Sequence, residues 1–352
     1  MSSNFWHGKQ VLLTGHTGFK GAWLSLWLCQ MGATVTGISL PPGGIPNLFT
    51  LAEIGRIIKS HFVDIRDADA VSKIVKNVKP EIVFHLAAQA LVRPSYRDPL
   101  ETFTTNVIGT ANVLNALRGI NSVRAVVAVT SDKVYKNLEH NNPYSETDEL
   151  GGYDPYSASK VASEMVIASF RDSYLAEQEI AIGSARAGNV IGGGDWSEDR
   201  LIPDAVRAWN SNLALEIRRP NAVRPWQHVL EPLNGYLILA EKLFMDPSLA
   251  GAFNFGPENN KTATVQKVIE LARKAYGHGN ILWSNSLEGP HEAGLLSLDA
   301  SKSLNILGVT PRWDLEESIE RTIRWYLKLR EGMPAHLLCG ADIKVFSETK
   351  KV

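Results

Sequence analysis

The sequence predicts an α/β fold, a Rossmann-like doubly wound parallel sheet followed by a smaller mixed α/β C-terminal region. The first observation is a rhythm: short apolar runs alternate with helix-length amphipathic stretches through the first half of the chain. This rhythm is typical of right-handed β-α-β crossovers, whose strands are covered on both faces. The second is a glycine-rich segment between the first apolar run and the first amphipathic stretch.

Five strands and three helices are predicted up to Ser131. The strands are QVLLTG, TVTGISL, residues 61–65, EIVFHLAA and AVVAVTS, and the helices are KGAWLSLWLCQMG, DADAVSKIVKNV and the long DPLETFTTNVIGTANVLNALRGI. After about Gly183 the rhythm loosens, and the helices IPDAVRAWNSN, EPLNGYLILAEKLF, TVQKVIELARKAYG and LEESIERTIRWYLKL are separated by long polar segments. We therefore divide the chain into residues 1–187 and 188–352, with residues around 223–256, including the strand-like AFNFGP, returning to the first sheet.

Composition excludes several classes of protein. The 352 residues carry a formal net charge of −1, so no electrostatic footprint for nucleic acid stands out. The two cysteines lie far apart without metal-ligand spacing, so we expect no metal site, no disulfide framework and a cytosolic setting. No apolar run approaches the length of a membrane span, and MSSNFWHGKQ has no signal-peptide core. The polar end ADIKVFSETKKV is predicted to dock loosely.

The glycine-rich segment TGHTGFKG indicates a phosphate-binding loop. Gly15, Gly18 and Gly21 form a G-x-x-G-x-x-G pattern at the first strand-to-helix turn. Glycines here allow a tight turn and a close approach of the backbone to a pyrophosphate at the helix N-terminus. The usual carboxylate for the adenosine ribose is missing, because the second strand ends in Ser39. Asp64 is a candidate for the adenine edge, or else an ordinary helix cap.

Tyr156 and Lys160 lie four residues apart in YDPYSASK, on a helix predicted to begin near Pro155. At that spacing they share one face of the helix. A nearby ammonium favours a phenolate and lowers the pKa of a tyrosine, which can then take a proton from an alcohol. The pair alone is a weak signal, but after a phosphate loop it becomes a strong one.

In these motifs, together with HLAA, TNVIGTANVL, SARAGNVIGGGD, VRPWQHVLEP and AFNFGPE, the chain resembles the extended short-chain dehydrogenase/reductase family. The resemblance implies NAD as a tightly held cofactor, Tyr156 as base, Lys160 on the nicotinamide ribose and Ser131 polarising a sugar oxygen. The implied cofactor-binding residues are Gly15, His16, Thr17, Gly18, Phe19, Lys20, Gly21, Ser39, Asp64, Ile65, Leu86, Ala87, Ala88, Asn106, Thr130, Tyr156 and Lys160. Lys20 and His16 are expected to add positive charge to the loop.

An acid and a base, Asp132 and Lys133, directly follow Ser131 at the end of a buried strand. This resembles the signature of the 4,6-dehydratases in the family, which implies Asp132 as acid at O6 and Lys133 as base at C5 of a hexose. A lysine must be neutral to act as a base, and burial could depress its pKa. The alternative is a solvated ion pair at the strand end.

The second half is expected to bind a nucleotide-sugar. Arg224 is the best candidate for the diphosphate, against the alternative of a surface arginine, and Arg200 or Arg207 could replace a second arginine that relatives carry before Asp299. Trp226 and His228 line the base pocket or belong to the core. The remaining candidates for the substrate pocket are Asn189, Gln89, Arg93 and Glu292.

Three readings of the function stay open beside a hexose-nucleotide 4,6-dehydratase. One is an inverting 4,6-dehydratase of UDP-N-acetylglucosamine, and another a sugar-nucleotide 4-epimerase, which would leave Asp132 and Lys133 without a task. The third is a catalytically idle NAD-binding scaffold, which would be expected to lose Tyr156 or Lys160.

Relatives dimerise through paired helices, so Ile108, Val113 and Val166 could form the apolar stripes of a homodimer or homotetramer, or belong to the core.

Overall fold

A computed structural model describes residues 3–258, 261–284 and 294–349. Seven strands form a central parallel sheet in the order β11-β6-β5-β4-β1-β2-β3, and short strands pair outside it as β10 with β7, β12 with β9 and β13 with β8. The strands are β1 (Gln10–Thr14), β2 (Thr34–Ser39), β3 (Lys59–Phe62), β4 (Ile82–His85), β5 (Ala125–Val129), β6 (Ala181–Ala187), β7 (Val190–Ile191), β8 (Leu215–Ile217), β9 (Val223–Arg224), β10 (Gln227–His228), β11 (Gly251–Phe255), β12 (Ala263–Thr264) and β13 (Ile281–Trp283). The predicted fold class is confirmed, and AFNFGP does return to the sheet as its edge strand β11, parallel to β6.

Helices cover both faces of the sheet. They are α1 (Ser3–Trp6), α2 (Phe19–Gln30), α3 (Leu48–Leu51), α4 (Ala68–Val78), α5 (Val92–Arg97), α6 (Pro99–Phe103), α7 (Gly109–Ala116), α8 (Pro155–Phe170), α9 (Leu201–Asn210), α10 (Leu230–Met245), α11 (Val265–Tyr276), α12 (Leu315–Arg330) and α13 (Ala335–Glu348). Within the described residues, none of these helices has the length and apolar character needed to cross a membrane.

Two cores lie on opposite faces of the sheet because successive side chains of a strand point to opposite sides. Val11 and Leu13 of β1 join the core beneath α2 and α10, whereas Leu12 between them joins the core beneath α4, α7 and α8. All three side chains are fully buried. The parallel strands therefore end at one edge of the sheet, between two rigid layers, and the functional side chains follow those ends.

The third strand begins and ends earlier than predicted, at Lys59–Phe62 rather than residues 61–65. Its register against β2 pairs Thr36 with Lys59 and Ser39 with Phe62, so β2 offers no further partners. Beyond it, Asp64 Oδ1 accepts a hydrogen bond from the Arg66 amide at 2.8 Å and turns the chain towards α4.

The long helix predicted after Asp98 is interrupted. α6 ends at Phe103, residues Thr104–Ile108 form a turn of π-helix, and α7 follows. A π-turn widens the helix by one residue and re-aims the side chains within it, often at functional sites. Here it contains Asn106, whose side chain reaches across to Gln89.

The C-terminal segment is a docked helix, not a loose tail. In α13 Ile343 and Phe346 are buried, and the Phe346 ring packs edge-on against Trp27 and Trp313 at 5.7 and 4.9 Å.

The three residues of the predicted apolar stripe differ in their exposure. Val113 is fully buried in the core and Val166 packs against it, whereas Ile108 is 52% exposed.

Candidate active site

A cavity of about 1630 Å³ opens at the carboxyl ends of the sheet strands. In doubly wound sheets this edge is where ligands bind. It brings together the loops after β1, β2, β3, β4, β5 and β6 with the first turns of α2 and α8. The predicted residues that line it are Gly15, Thr17, Gly18, Phe19, Lys20, Gly21, Ser39, Asp64, Ile65, Leu86, Ala87, Ala88, Gln89, Arg93, Thr130, Ser131, Asp132, Lys133, Tyr156, Lys160, Asn189, Arg200 and Arg224.

The glycine loop forms a tight cradle. Gly15 has φ +80°, a conformation that side chains with a Cβ rarely adopt. A Cβ on Gly21 would lie 2.1 Å from the Gly15 carbonyl oxygen, so the loop and the first turn of α2 touch through their backbones. No side chain caps the N-terminus of α2 at Gly18. Its first-turn amides and the positive end of the helix dipole therefore face the cavity, as phosphate binding requires.

His16 does not add charge to this loop, contrary to expectation. Its ring is fully buried between Phe49 and Phe62, at centroid distances of 5.5 and 6.3 Å, and it fills the space beside Gly37. Burial lowers its pKa to about 4, so the imidazole is neutral near pH 7. Lys20 does reach the cavity, and burial and the charge of Arg200 lower its pKa to about 8.

The end of the cavity next to β2 and β3 is built from hydroxyls and one carboxylate that is already paired. Thr17 Oγ1 lies 2.7 Å from Ser39 Oγ at the end of β2. Asp64 accepts from Arg66 Nη2 at 2.6 Å, and this hydrogen bond lowers the pKa of Asp64. Asp64 is not the cap of α4, because Asp67 accepts the hydrogen bond of the Ala70 amide.

Ser131, Asp132 and Lys133 form a tight turn after β5. Ser131 Oγ accepts from the Lys133 amide at 3.2 Å and donates to Asp132 Oδ1 at 3.1 Å. Asp132 is only 3% exposed, and its Oδ2 is buried without a hydrogen-bond partner among the described residues. The two side chains are therefore not a solvated ion pair. Burial is the main cause that lowers the pKa of Lys133; Asp132 opposes it and the charge of Arg224 reinforces it.

Tyr156 and Lys160 lie in the first turns of α8, which begins at a cap where Asp154 accepts from the Ser157 amide. They are 8% and 6% exposed, and Lys160 Nζ donates to the Val129 carbonyl at 3.1 Å. Burial raises the pKa of Tyr156, contrary to the expected lowering, while the neighbouring Ser131 hydroxyl and the charge of Arg200 oppose this increase. Burial, with Lys20, lowers the pKa of Lys160 to about 8.

Asn106 supports the site from behind instead of lining it. It is 1% exposed, accepts from the Gln89 amide at 2.8 Å, and donates to the Gln89 carbonyl at 3.0 Å and to Ser159 Oγ at 2.8 Å. It therefore holds the loop after β4 against α8.

The cavity also contains several cations. Arg224 is 7% exposed, not a surface arginine, and its Nη1 donates to the Val223 carbonyl at 2.8 Å. Arg200 donates to the Ala90 carbonyl at 3.2 Å, and Arg93 pairs with Asp199 at 3.0 Å. A smaller cavity of about 210 Å³ shares these three arginines and Asn189 with the larger one and extends to Trp226.

Some predicted substrate residues lie elsewhere. His228 is fully buried in the core, against Trp23 and Trp313 at 6.0 and 4.8 Å, and does not line either of these cavities in the described structure. Arg207 pairs with Asp204 and donates to two backbone carbonyls instead of the cavity. Glu292 lies outside the described residues.

Sequence reasoning missed Glu216, Arg218 and Arg219, which line the smaller cavity. Their signal is a short strand, β8, in which buried Leu215 and Ile217 flank exposed Glu216 and run directly into two arginines.

The chain belongs to the GDP-mannose 4,6 dehydratase family, whose profile it matches over residues 12–322. Among curated proteins it is 44% identical to the CDP-glucose 4,6-dehydratase of Salmonella typhimurium over 332 residues, 93% of this chain and 92% of that protein. It is 25% identical to a UDP-glucose 4-epimerase of Halalkalibacterium halodurans, covering 92% and 97% of the two chains. Its fold matches a UDP-glucose 4-epimerase of Stenotrophomonas maltophila, solved with NAD and formylated UDP-arabinopyranose, with a TM-score of 0.79, 22% identity and coverage of 92% and 100%.

Proposed function

We propose that this protein converts CDP-glucose to CDP-4-keto-6-deoxyglucose and water, with NAD as its cofactor. The observation that carries the proposal is a buried acid, Asp132, beside a half-buried base, Lys133, in the same cavity as Tyr156 and Lys160. A 4-epimerase needs only the second pair, because it moves a hydride and one proton. Removing water from C5 and C6 also requires a base at C5 and an acid at O6.

The residues of the cavity fit NAD. The cradle of Gly15, Gly18 and Gly21 leaves the backbone open to a pyrophosphate at the uncapped start of α2. Ser39 and Asp64 would hold the adenosine end, and Leu86 to Ala88 and Thr130 would flank the middle of the cofactor. Lys160 would hold the nicotinamide ribose. When bound, NAD accepts the hydrogen of C4 as hydride and returns it to C6.

Oxidation at C4 needs a base on the hydroxyl. Tyr156 would take the O4 proton, and the neighbouring Ser131 hydroxyl favours its phenolate against the effect of burial. Ser131 then stabilises the new carbonyl oxygen. The 4-ketone acidifies the C5 proton.

Elimination uses the turn after β5. Lys133 in its neutral form takes the C5 proton, and Asp132 protonates the C6 hydroxyl, which leaves as water. Lys133 then returns a proton to C5. Burial supports this role, because it lowers the pKa of Lys133 and increases its neutral fraction.

The diphosphate is assigned to the cations between the two cavities. Arg224, Arg200 and Arg93 lie there with Asn189, and Trp226 borders the smaller cavity, where the base would stack. Cytidine is favoured over other bases because of the relative that is 44% identical and because TGHTGFKGAW, TSDKVY, RPWQHVLEP and PHEAGLLSLD resemble CDP-glucose 4,6-dehydratase. The product would be a precursor of the 3,6-dideoxyhexoses of bacterial O-antigen lipopolysaccharide, made in the cytoplasm.

We also propose that the protein forms a homodimer, or a homotetramer built from such dimers. Exposed apolar side chains follow α6, the π-turn and α8: Leu100, Phe103, Ile108 and Met165 are 76%, 36%, 52% and 62% exposed. Such a patch along paired helices is typical of a protein interface. A monomer in analytical ultracentrifugation would contradict this.

A panel of sugar nucleotides tests the function. The purified protein with NAD is incubated with CDP-, dTDP- and UDP-glucose and UDP-N-acetylglucosamine without a reductant, and the 4-keto product is detected by its alkaline absorbance. CDP-glucose should react fastest. Deuterium at C4 of the substrate should reappear at C6, because the same cofactor carries it. Reaction of another nucleotide alone would refute the cytidine assignment, and washout of the label would refute the three-step scheme.

A further inference from the structure

A buried ion pair behind the catalytic turn has no part in the proposed chemistry. Glu164 lies on α8, one helical turn after Lys160, and Arg186 lies on β6. Their side chains are 6% and 5% exposed, and Arg186 Nε donates to Glu164 Oε1 at 2.9 Å. A second contact joins Arg186 Nη2 to Glu164 Oε2 at 3.1 Å, so the pair is bidentate.

Glu164 also holds the start of the catalytic turn. Its carboxylate accepts from Thr130 Oγ1 at 2.6 Å and from Ser184 Oγ at 2.8 Å. Thr130 directly precedes Ser131, and its amide donates to the Ala185 carbonyl at 3.0 Å. One carboxylate therefore connects the helix of Tyr156 and Lys160 with the end of β5 and with β6.

Arg186 holds the other end of the same turn. Its Nη1 donates to the Tyr135 hydroxyl at 3.0 Å, and Tyr135 follows Lys133 by two residues. The Tyr135 hydroxyl donates in turn to Asn254 Oδ1 at 2.6 Å. Residues 131–134 are thus anchored at both ends to one ion pair.

Stability alone does not explain charges in this position. A buried ion pair is often no more stabilising than apolar residues of the same volume, because both charges lose their hydration. Its directional hydrogen bonds, however, restrict geometry more than apolar contacts do. Catalysis at O4, O6 and C5 of one sugar needs such restriction, since a misplacement of about 1 Å can cost 10²-fold in rate.

The Glu164 carboxylate also acts on Lys160 through its charge. Lys20 of α2 and His85 of β4 face Lys160, as does Glu164 on its own helix, while its Nζ donates to the Val129 carbonyl. Burial and Lys20 lower the pKa of Lys160 to about 8, and Glu164 opposes them. Without the negative charge of Glu164 this pKa would fall further, and Lys160 would lose its proton at a lower pH.

We propose that Glu164 and Arg186 are positioning residues that fix the Ser131–Lys133 turn against α8, and that the Glu164 carboxylate, one helical turn from Lys160, also favours the ammonium form of that lysine. This rests on the proposed dehydratase reaction, because it assigns the pair to that reaction's catalytic groups. The effect on Lys160 does not depend on the identity of the substrate.

The test compares Glu164→Gln with Glu164→Asp and Thr130→Val in the full chain. Lys160 is titrated directly by NMR of [ε-13C]lysine protein loaded with NAD and without substrate, its signal assigned by loss in Lys160→Arg. In Glu164→Gln the pKa of Lys160 should fall by about one pH unit. The alkaline limb of kcat/KM should move to lower pH by the same amount, and kcat should fall by about 10²-fold. Glu164→Asp should leave the alkaline limb of kcat/KM at its wild-type pH. Thr130→Val should lower kcat without moving that limb.

Glu179→Gln is the matched control, because it makes the same change in an exposed ion pair with Arg124 at the start of β5. It should change neither the titration nor the rate. If Glu164→Gln fails to fold, the double variant Glu164→Gln with Arg186→Met takes its place, since it leaves no unpaired buried guanidinium. A folded variant without the Glu164 carboxylate that keeps both the titration of Lys160 and the wild-type rate would overturn the proposal. If the wild-type protein is inactive on CDP-glucose but Glu164→Gln still lowers the pKa of Lys160, the proposed function is refuted and the effect of Glu164 on Lys160 stands.

Discussion

Replacing Lys133 by Met should stop the reaction after oxidation. Methionine keeps much of the volume of lysine and removes the amine, so the variant should form NADH and the 4-ketone but not lose water. The amine is the proposed C5 base, and a positioned base contributes about 10²–10⁴-fold. We therefore expect overall turnover to fall by about three orders of magnitude, equivalent to about 4 kcal/mol of barrier.

Burial matters to the rate of elimination because only the neutral amine of Lys133 can act as a base. A lysine with its ordinary pKa of 10.5 has only about one neutral amine in 300 at pH 8. Each unit by which burial lowers that pKa raises the neutral fraction tenfold. Wild-type elimination should therefore increase with pH until the pKa of Lys133 is passed. The residual activity of Lys133→Met should lack this increase.

A rapid-mixing experiment measures the effect. NADH absorbance is followed after mixing the NAD-loaded protein with CDP-glucose, and released 4-keto-6-deoxy product is quantified separately. Wild-type protein should form NADH only transiently, whereas Lys133→Met should retain it. Lys73→Met, which changes an exposed lysine of α4, is the control. Full turnover by Lys133→Met would remove Lys133 from the mechanism, and absence of NADH would place its role before elimination.

Three further changes test other parts of the structure. Tyr156→Phe should reduce C4 oxidation by at least about 10²-fold and leave no NADH in the same assay, and normal NADH formation would exclude it as the base. Gly21→Ala should abolish NAD binding in calorimetry, because its Cβ would lie 2.1 Å from the Gly15 carbonyl oxygen. Gly18→Ala, whose Cβ would have its nearest contact at 3.4 Å, is the control and should fold normally. Equal NAD affinity in both variants would contradict the cradle. Phe346→Ala should lower the free energy of unfolding by about 3–5 kcal/mol in denaturant titrations, because the ring is fully buried. Val345→Ala, at a side chain that is 38% exposed, should change it little. Equal losses of unfolding free energy in the two variants would show that α13 does not dock through Phe346.

The sheet and the Tyr156–Lys160 helix could be predicted from the sequence because both depend on local order: apolar runs, glycine spacing and a fixed offset along one helix. Other features depend on contacts far apart in the chain. The π-turn forms where Asn106 reaches Gln89, and α13 becomes ordered because Phe346 meets Trp27 and Trp313. His16 occupies a loop position that faces the cofactor in the motif, yet its ring turns inward because Gly37 leaves room for it. Arg186 carried a usable signal, a charge inside the buried run AIGSARA, which requires a buried partner.

Binding of the proposed diphosphate would change how the arginines of the site affect the pKa of Lys133. Arg224 and Arg200 contribute to the lowered pKa of Lys133, after burial. Both are also assigned to the substrate diphosphate, whose charge would cancel much of theirs. Substrate binding would then raise the pKa of Lys133 unless burial, the larger cause, increases as the sugar closes the cavity. The proposed role of Lys133 as base at C5 therefore requires its neutral form to depend first on burial and only second on the arginines, whose charge a bound diphosphate would neutralise.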